Sequence, residues 1–313
     1  MVTDPAASSS RAVVIVSGGD AISPFTTPDR ACTTGLAAGN TDTALREFLL
    51  ARGHAVYTSP AMNARGRVVE QLTGFGPFGG MPFDLPDHLT VNSTGDIDLA
   101  GEHLARFLGF LHSDYGVDTI DLVAHSMGGL FSRAAIRVLK ATASPIRVRS
   151  LTTLGTPWQG AIVSDYAVGD VDLSVCAGDR FSELVVQEFK KRADSIPVGA
   201  AQEVTRRYLT GPGGWNEFQT GVLDDIPVML IAGSRFTADG SPEYWPHDGL
   251  VSPWSALATE VPASVLPHRR TLTFERTHSI FISDAAGLDW STALTWDPEV
   301  LEAVHQAIET AAI

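Results

Sequence analysis

Leu122-Val123-Ala124-His125-Ser126-Met127-Gly128-Gly129 decides how this chain is read. An apolar run enters a group of small residues around one Ser, and a stretch of helical composition, Gly128 to Lys140, follows at once. A strand-to-helix turn this tight strains its central residue, and flanking side chains larger than methyl would clash. Ala124 and Gly128 are small enough to avoid that clash. The turn lifts the Ser126 hydroxyl onto a tip at a helix N-terminus. The Met127 amide then points into the same space and can donate to an oxyanion. The plainer alternative is an N-cap serine after a buried strand.

Outward from this turn, apolar β-rich runs alternate with helical segments. Strands are expected at Ala12 to Val16, His54 to Tyr57, Thr119 to Ala124, Arg147 to Leu154, Pro227 to Ala232 and Arg270 to Phe274. Helices are expected at Thr41 to Arg52 (closed by Gly53), Asp96 to Ser113, Gly128 to Lys140 and Val300 to Ala311. The first strand is apolar on both faces, as buried parallel strands are. The alternation predicts an α/β fold with a mostly parallel sheet flanked by helices. Residues 1–313 read as one domain. Residues 158–224 break the rhythm and read as an insertion between two core strands rather than a second domain.

A Ser hydroxyl is a weak nucleophile until a base takes its proton. That base should be a His whose tautomer is fixed by a carboxylate, and the chain order in such a sheet is Ser, acid, His. After Ser126 the histidines are His247, His268, His278 and His305. His278 lies just past the last expected strand, where this architecture places its reacting groups. His305 falls in the closing helix and reads as surface. Asp248 is the candidate acid, in Pro246-His247-Asp248-Gly249-Leu250-Val251-Ser252, with Asp239 and Glu243 as competitors in the same loop. The alternative for Asp248 is a plain Asp-Gly turn. A second oxyanion donor should come from Ser17-Gly18-Gly19-Asp20 after the first strand. Gly19 is the first choice and Asp20 the second.

Composition narrows the partners. The 313 residues carry 22 basic and 36 acidic side chains, a formal charge of −14, with Lys only at 140, 190 and 191. No basic stripe exists for a phosphate backbone, so nucleic-acid binding is not expected. No apolar run reaches the roughly 18 residues of a membrane helix, and no transmembrane segment is expected. No signal peptide is visible at the start, which suggests a cytoplasmic protein, or a secreted one whose signal was removed. Cys32 and Cys176 are too few for an all-thiolate zinc site; they read as one disulfide or as two buried thiols.

Taken together, these segments resemble α/β-hydrolase serine esterases and lipases of bacterial type. Ala-His-Ser-Met-Gly-Gly at 124–129 is similar to the nucleophile elbow of the small Bacillus-type lipases. Leu154-Gly155-Thr156-Pro157-Trp158-Gln159-Gly160 resembles a segment of the larger Pseudomonas and Burkholderia-type lipases, and Asp248 to Ser252 resembles their acid loop. The resemblance covers about four short segments in the right order. It implies a Ser126, Asp248, His278 triad, ester hydrolysis through an acyl-enzyme, and a lid or cap in 158–224. The usual His-Gly after the first strand is Ser17-Gly18 here, which changes the hydrogen bonding behind the oxyanion loop. The larger lipases hold calcium partly through an Asp two residues after the base. Position 280 is Ile, so no such calcium site is expected, and no metal or cofactor.

The expected substrate is a hydrophobic ester. Phe75, Phe78 and Trp158 are the candidate acyl-binding residues, against the alternative that they pack the insertion onto the core. The same triad would also serve an acyltransferase, a lactonase or an amidase, and a hydrolase fold can serve as a non-catalytic binding protein.

Overall fold

The computed structural model describes residues 10–29, 39–68, 85–195 and 199–312. Its strands are β1 (Ser10–Val16), β2 (Val56–Thr58), β3 (Ala61–Met62), β4 (Val91–Asn92), β5 (Val117–His125), β6 (Arg147–Leu154), β7 (Val228–Gly233) and β8 (Arg269–Phe274). Six form one sheet in the order β2-β1-β5-β6-β7-β8, and every neighbouring pair is parallel. β3 and β4 pair with each other apart from it. The longer helices are α1 (Gly39–Ala51), α2 (Ile97–Tyr115), α3 (Gly128–Ala141), α4 (Ile162–Val168), α5 (Arg180–Asp194) and α6 (Pro298–Glu309).

The two-residue period of the strands divides their apolar side chains between two cores. Val14, Val16, Leu122 and Ala124 meet Leu104, Phe107 and Leu108 of α2 and Leu130 and Phe131 of α3. Val13, Ile15 and Val123 meet Leu45 and Leu49 of α1 and Val300, Val304 and Ile308 of α6 on the other face. Each fully buried large apolar side chain contributes roughly 1.5–3 kcal/mol, so the central strands are the best-anchored part of the chain. The ends of α2 follow from local chemistry. Asp96 accepts from the amides of Asp98 and Leu99 at its start, and Gly116 takes a left-handed conformation at its end.

One expectation changes here. The 270–274 run reads as the last apolar strand, yet β8 is largely exposed along its length. It is the edge of the sheet, where Arg269 and Arg270 are tolerated because only one neighbour covers the strand. Among the described residues, no helix is long and apolar enough to cross a membrane.

Strand order also fixes where a site should form. From β1 the chain steps to β2 on one side, then returns to β5 on the other and continues outward to β8. Ligands of open parallel sheets bind where that order reverses, beyond the C-terminal ends of the strands. Val16 pairs with Ala124 and His125 with Leu154, so the loops after β1, β5 and β6 emerge side by side at that point. Between β6 and β7 the chain makes a long excursion that carries α4 and α5.

Candidate active site

Ser126 occupies the turn between β5 and α3 with φ +53°. A left-handed conformation costs a non-glycine residue about 1–2 kcal/mol, so the surroundings must hold it. They do. The Ser126 amide donates to the Leu154 carbonyl at 2.8 Å, and its carbonyl accepts from the Gly129 amide at 3.2 Å and from Thr156 Oγ1 at 2.7 Å. Gly128 is required by space: a Cβ there would stand 2.4 Å from the Val16 carbonyl oxygen. A Cβ on Gly18 would stand 2.5 Å from Ser126 Cβ, so only glycine lets the loop after β1 approach the serine this closely.

Asp248 and His278 come together although 30 residues apart. His278 Nδ1 lies 2.7 Å from Asp248 Oδ2, and both side chains are buried. A carboxylate accepts, so Nδ1 carries the proton and Nε2 is left with its lone pair. The second carboxylate oxygen is also fixed: Asp248 Oδ1 accepts from the amides of Leu250 at 3.0 Å and Val251 at 2.8 Å. The His278 amide donates to the Asp248 carbonyl at 2.7 Å. Ser126 and His278 line one cavity of about 470 Å³ together with Ser17, Gly19 and Asp42. Among the described residues, no hydrogen bond joins Ser126 Oγ to His278. Such contacts are often loose until substrate is bound.

Two further histidines support this arrangement by staying neutral. His125 is wholly buried, and burial first, then the neighbouring His278, push its pKa down to about 3. Its Nε2 lies 2.9 Å from the His278 carbonyl, which only accepts, so His125 donates and tethers the His278 backbone. His247 is pushed down to about 4, again mainly by burial. The Gly249 amide donates to its Nδ1 at 3.0 Å, which leaves Nε2–H to donate to Ser182 Oγ at 3.0 Å. His247 therefore ties α5 to the acid loop and is no base. Of the other candidates, Glu243 turns to Arg206 at 3.4 Å. His268 sits exposed just before β8, and His305 lies on α6.

The loop after β1 places Gly19 beside Ser126. Gly19, Met127 and Ser126 line one apolar cavity of about 250 Å³ with Val163, Phe189 and Val251. Behind this loop, the Ser17 hydroxyl donates to Asp42 Oδ2 at 2.6 Å. Burial pushes the Asp42 carboxyl up to about 7, against the lowering effect of Ser17, and Asp42 Oδ1 has no partner. Asp20 takes φ +57° and accepts from Arg192 of α5 at 3.0 and 2.7 Å, joining the loop to the excursion after β6.

Trp158 does not line the cleft. It is wholly buried in the core, where Arg133 lies 4.2 Å over its ring and 4.7 Å over that of Trp215. Its large apolar surface serves to cover that guanidinium, which burial pushes down to about 9. Phe75 and Phe78 lie outside the described residues, as does Cys32; Cys176 is a free, buried thiol. Asp42 and Arg192 carry no signal in the sequence because each acts through a partner distant along the chain. His125 had a signal: a histidine ending a run of otherwise apolar strand residues must be neutral and hydrogen-bonded.

Residues 87–176, from just before β4 to beyond α4 and including Ser126, match the family described as "Putative serine esterase (DUF676)". No curated protein matches the chain. The mature form of the Bacillus licheniformis lipase BlEst2 superposes with a TM-score of 0.55 at 15% identity, over 100% of this chain and 96% of that one. The propeptide form of the same lipase gives 0.52 at 16% identity, over 100% of this chain and 52% of that one. The chain has the α/β-hydrolase fold. It is similar to bacterial serine esterases and lipases.

Proposed function

We propose that the chain is a serine carboxylic-ester hydrolase that acts on esters with an apolar acyl group. The observation that carries this reading is the buried Asp248–His278 pair, whose hydrogen bonding leaves Nε2 basic in the cavity that Ser126 also lines. In the proposed reaction, Nε2 of His278 takes the Ser126 proton as Oγ attacks the ester carbonyl. The amides of Met127 and Gly19 donate to the oxyanion. Collapse expels the alcohol, which receives the proton from His278, and leaves an acyl-serine. Water, deprotonated by the same imidazole, then releases the acid and restores the hydroxyl. Asp248 holds the tautomer and stabilises the imidazolium.

The apolar cavity lined by Val163, Phe189 and Val251 supports an acyl chain as its occupant. In the same reading, residues 158–224 act as a cap whose helices α4 and α5 bring Val163 and Phe189 to that lining. The test is hydrolysis of p-nitrophenyl esters from acetate to palmitate by the parent and by Ser126→Ala. The variant should fall to background with an unchanged circular dichroism spectrum. The parent rate should rise beyond acetate. Unaltered activity in the variant rejects the nucleophile, and a maximum at acetate rejects the apolar acyl site while sparing the serine.

A further inference from the structure

We propose that His54, His305 and Glu309 form a structural site for a divalent transition-metal ion, Zn²⁺ being the best match, at the edge of the sheet opposite the cleft. His54 lies in the loop between α1 and β2, and His305 and Glu309 stand one turn apart near the end of α6. That i, i+4 spacing sets both on one helix face. One ligand atom from each of the three residues lies within 4.8 Å of the other two.

The separations suit one ion. His54 Nε2 is 2.9 Å from His305 Nδ1 and 4.0 Å from Glu309 Oε1. Ligands held about 2.0–2.2 Å from a tetrahedral ion lie about 3.3 Å from one another, between these two values. The imidazoles meet at 69° with centroids 5.1 Å apart, so their nitrogens converge without stacking. The site opens into a cavity of about 270 Å³ also lined by Arg11 and Arg52, which leaves room for a water as fourth ligand. Two imidazoles and one carboxylate favour zinc or its neighbours over calcium or magnesium, which take oxygen ligands.

The charges nearby are compensated. Arg11 Nη2 is 3.7 Å from Glu309, but the same guanidinium donates to buried Asp121 at 2.7 Å. Arg52 is paired with Glu302 at 2.7 Å. Without an ion the two imidazoles share one hydrogen bond. Binding moves the donor's proton to its other ring nitrogen, so that both lone pairs face the metal.

This site revises the expectation that the chain holds no metal. An ion there would pin the end of α6 to the loop before β2, stabilising the fold without touching the cleft. The experiment is calorimetric titration of the tag-free chain with ZnCl₂, paired with thermal unfolding. One ion per chain should bind, and Zn²⁺ at a hundred times Kd should raise Tm by about 4 °C. His54→Ala and His305→Ala should each weaken binding by at least about ten-fold, and so should His305→Gln, which keeps the side chain's size and polarity should the alanine variant lose stability. No saturable binding overturns the proposal. So does binding by the His305 variants at the parent's affinity, because the ion would then sit elsewhere, such as on Asp248 and His278.

Discussion

Asp248 and Arg192 both reach the cleft from long excursions off the same sheet, but they are held there differently. Asp248 is wholly buried, and its two oxygens accept from one imidazole and two backbone amides. Arg192 reaches Asp20 through a bidentate ion pair whose side chains are 49% and 46% exposed. Water competes for the second contact and not for the first. A buried hydrogen-bonded charge is costly to disturb, whereas an exposed pair is worth about 0–1 kcal/mol. The Asp248–His278 pair is thus built as a fixed part, and the clasp between α5 and the loop after β1 as a part that can open at little cost.

Changes to the fixed part should give the largest effects. Asp248→Asn keeps the shape but allows the wrong imidazole tautomer, and kcat should fall by about 10⁴-fold in ester hydrolysis. A loss under ten-fold would mean another group orients His278 and would erase the contrast with Arg192.

Asp42 tests the support behind the loop after β1. Its pKa is about 7 in the fold against 3.8 for the ordinary side chain. Between those values the native state holds a proton that the unfolded chain releases, so stability falls as pH rises through this window. The contribution is full below pH 3.8 and lost above about 7. Asp42→Asn mimics the protonated carboxyl. Its Tm should match the parent near pH 4 and exceed it by several degrees near pH 8, read by thermal unfolding across pH. A gap that does not change with pH contradicts the buried carboxyl.

Arg192→Ala should give the smallest effect. Tm should drop by no more than about 2 °C, consistent with a solvent-screened pair. kcat/KM for long-chain esters should change only a few-fold and become less sensitive to salt. A loss as large as that of Asp248→Asn would place Arg192 among the fixed parts and break the comparison.

How much the sequence discloses follows the same division. The turn around Ser126 is legible because its small residues are neighbours in the chain and their spacing is set by local sterics. The central strands are legible because they are apolar on both faces. Asp248 and His278 can be picked out because strand order dictates which loops share the reactive edge. Trp158 reads from the sequence as an acyl-binding residue and is instead core, since an aromatic in a loop at the reactive edge suits a substrate pocket as well as the cover of a buried arginine. Only packing shows Arg133 beneath it. Asp42 and the His54, His305 and Glu309 cluster depend on contacts between segments that no periodicity links. The strand at β8 is legible but its exposure is not, because its alternation carries no information on how many neighbours it has.

The most direct trial of the account is covalent labelling of the native chain with a fluorophosphonate, followed by mass spectrometry of its peptides. One phosphonyl group per chain on Ser126, with labelling strongly slowed in His278→Ala, is the predicted result. A natively folded chain that stays unlabelled, or that carries the label on another residue, contradicts it.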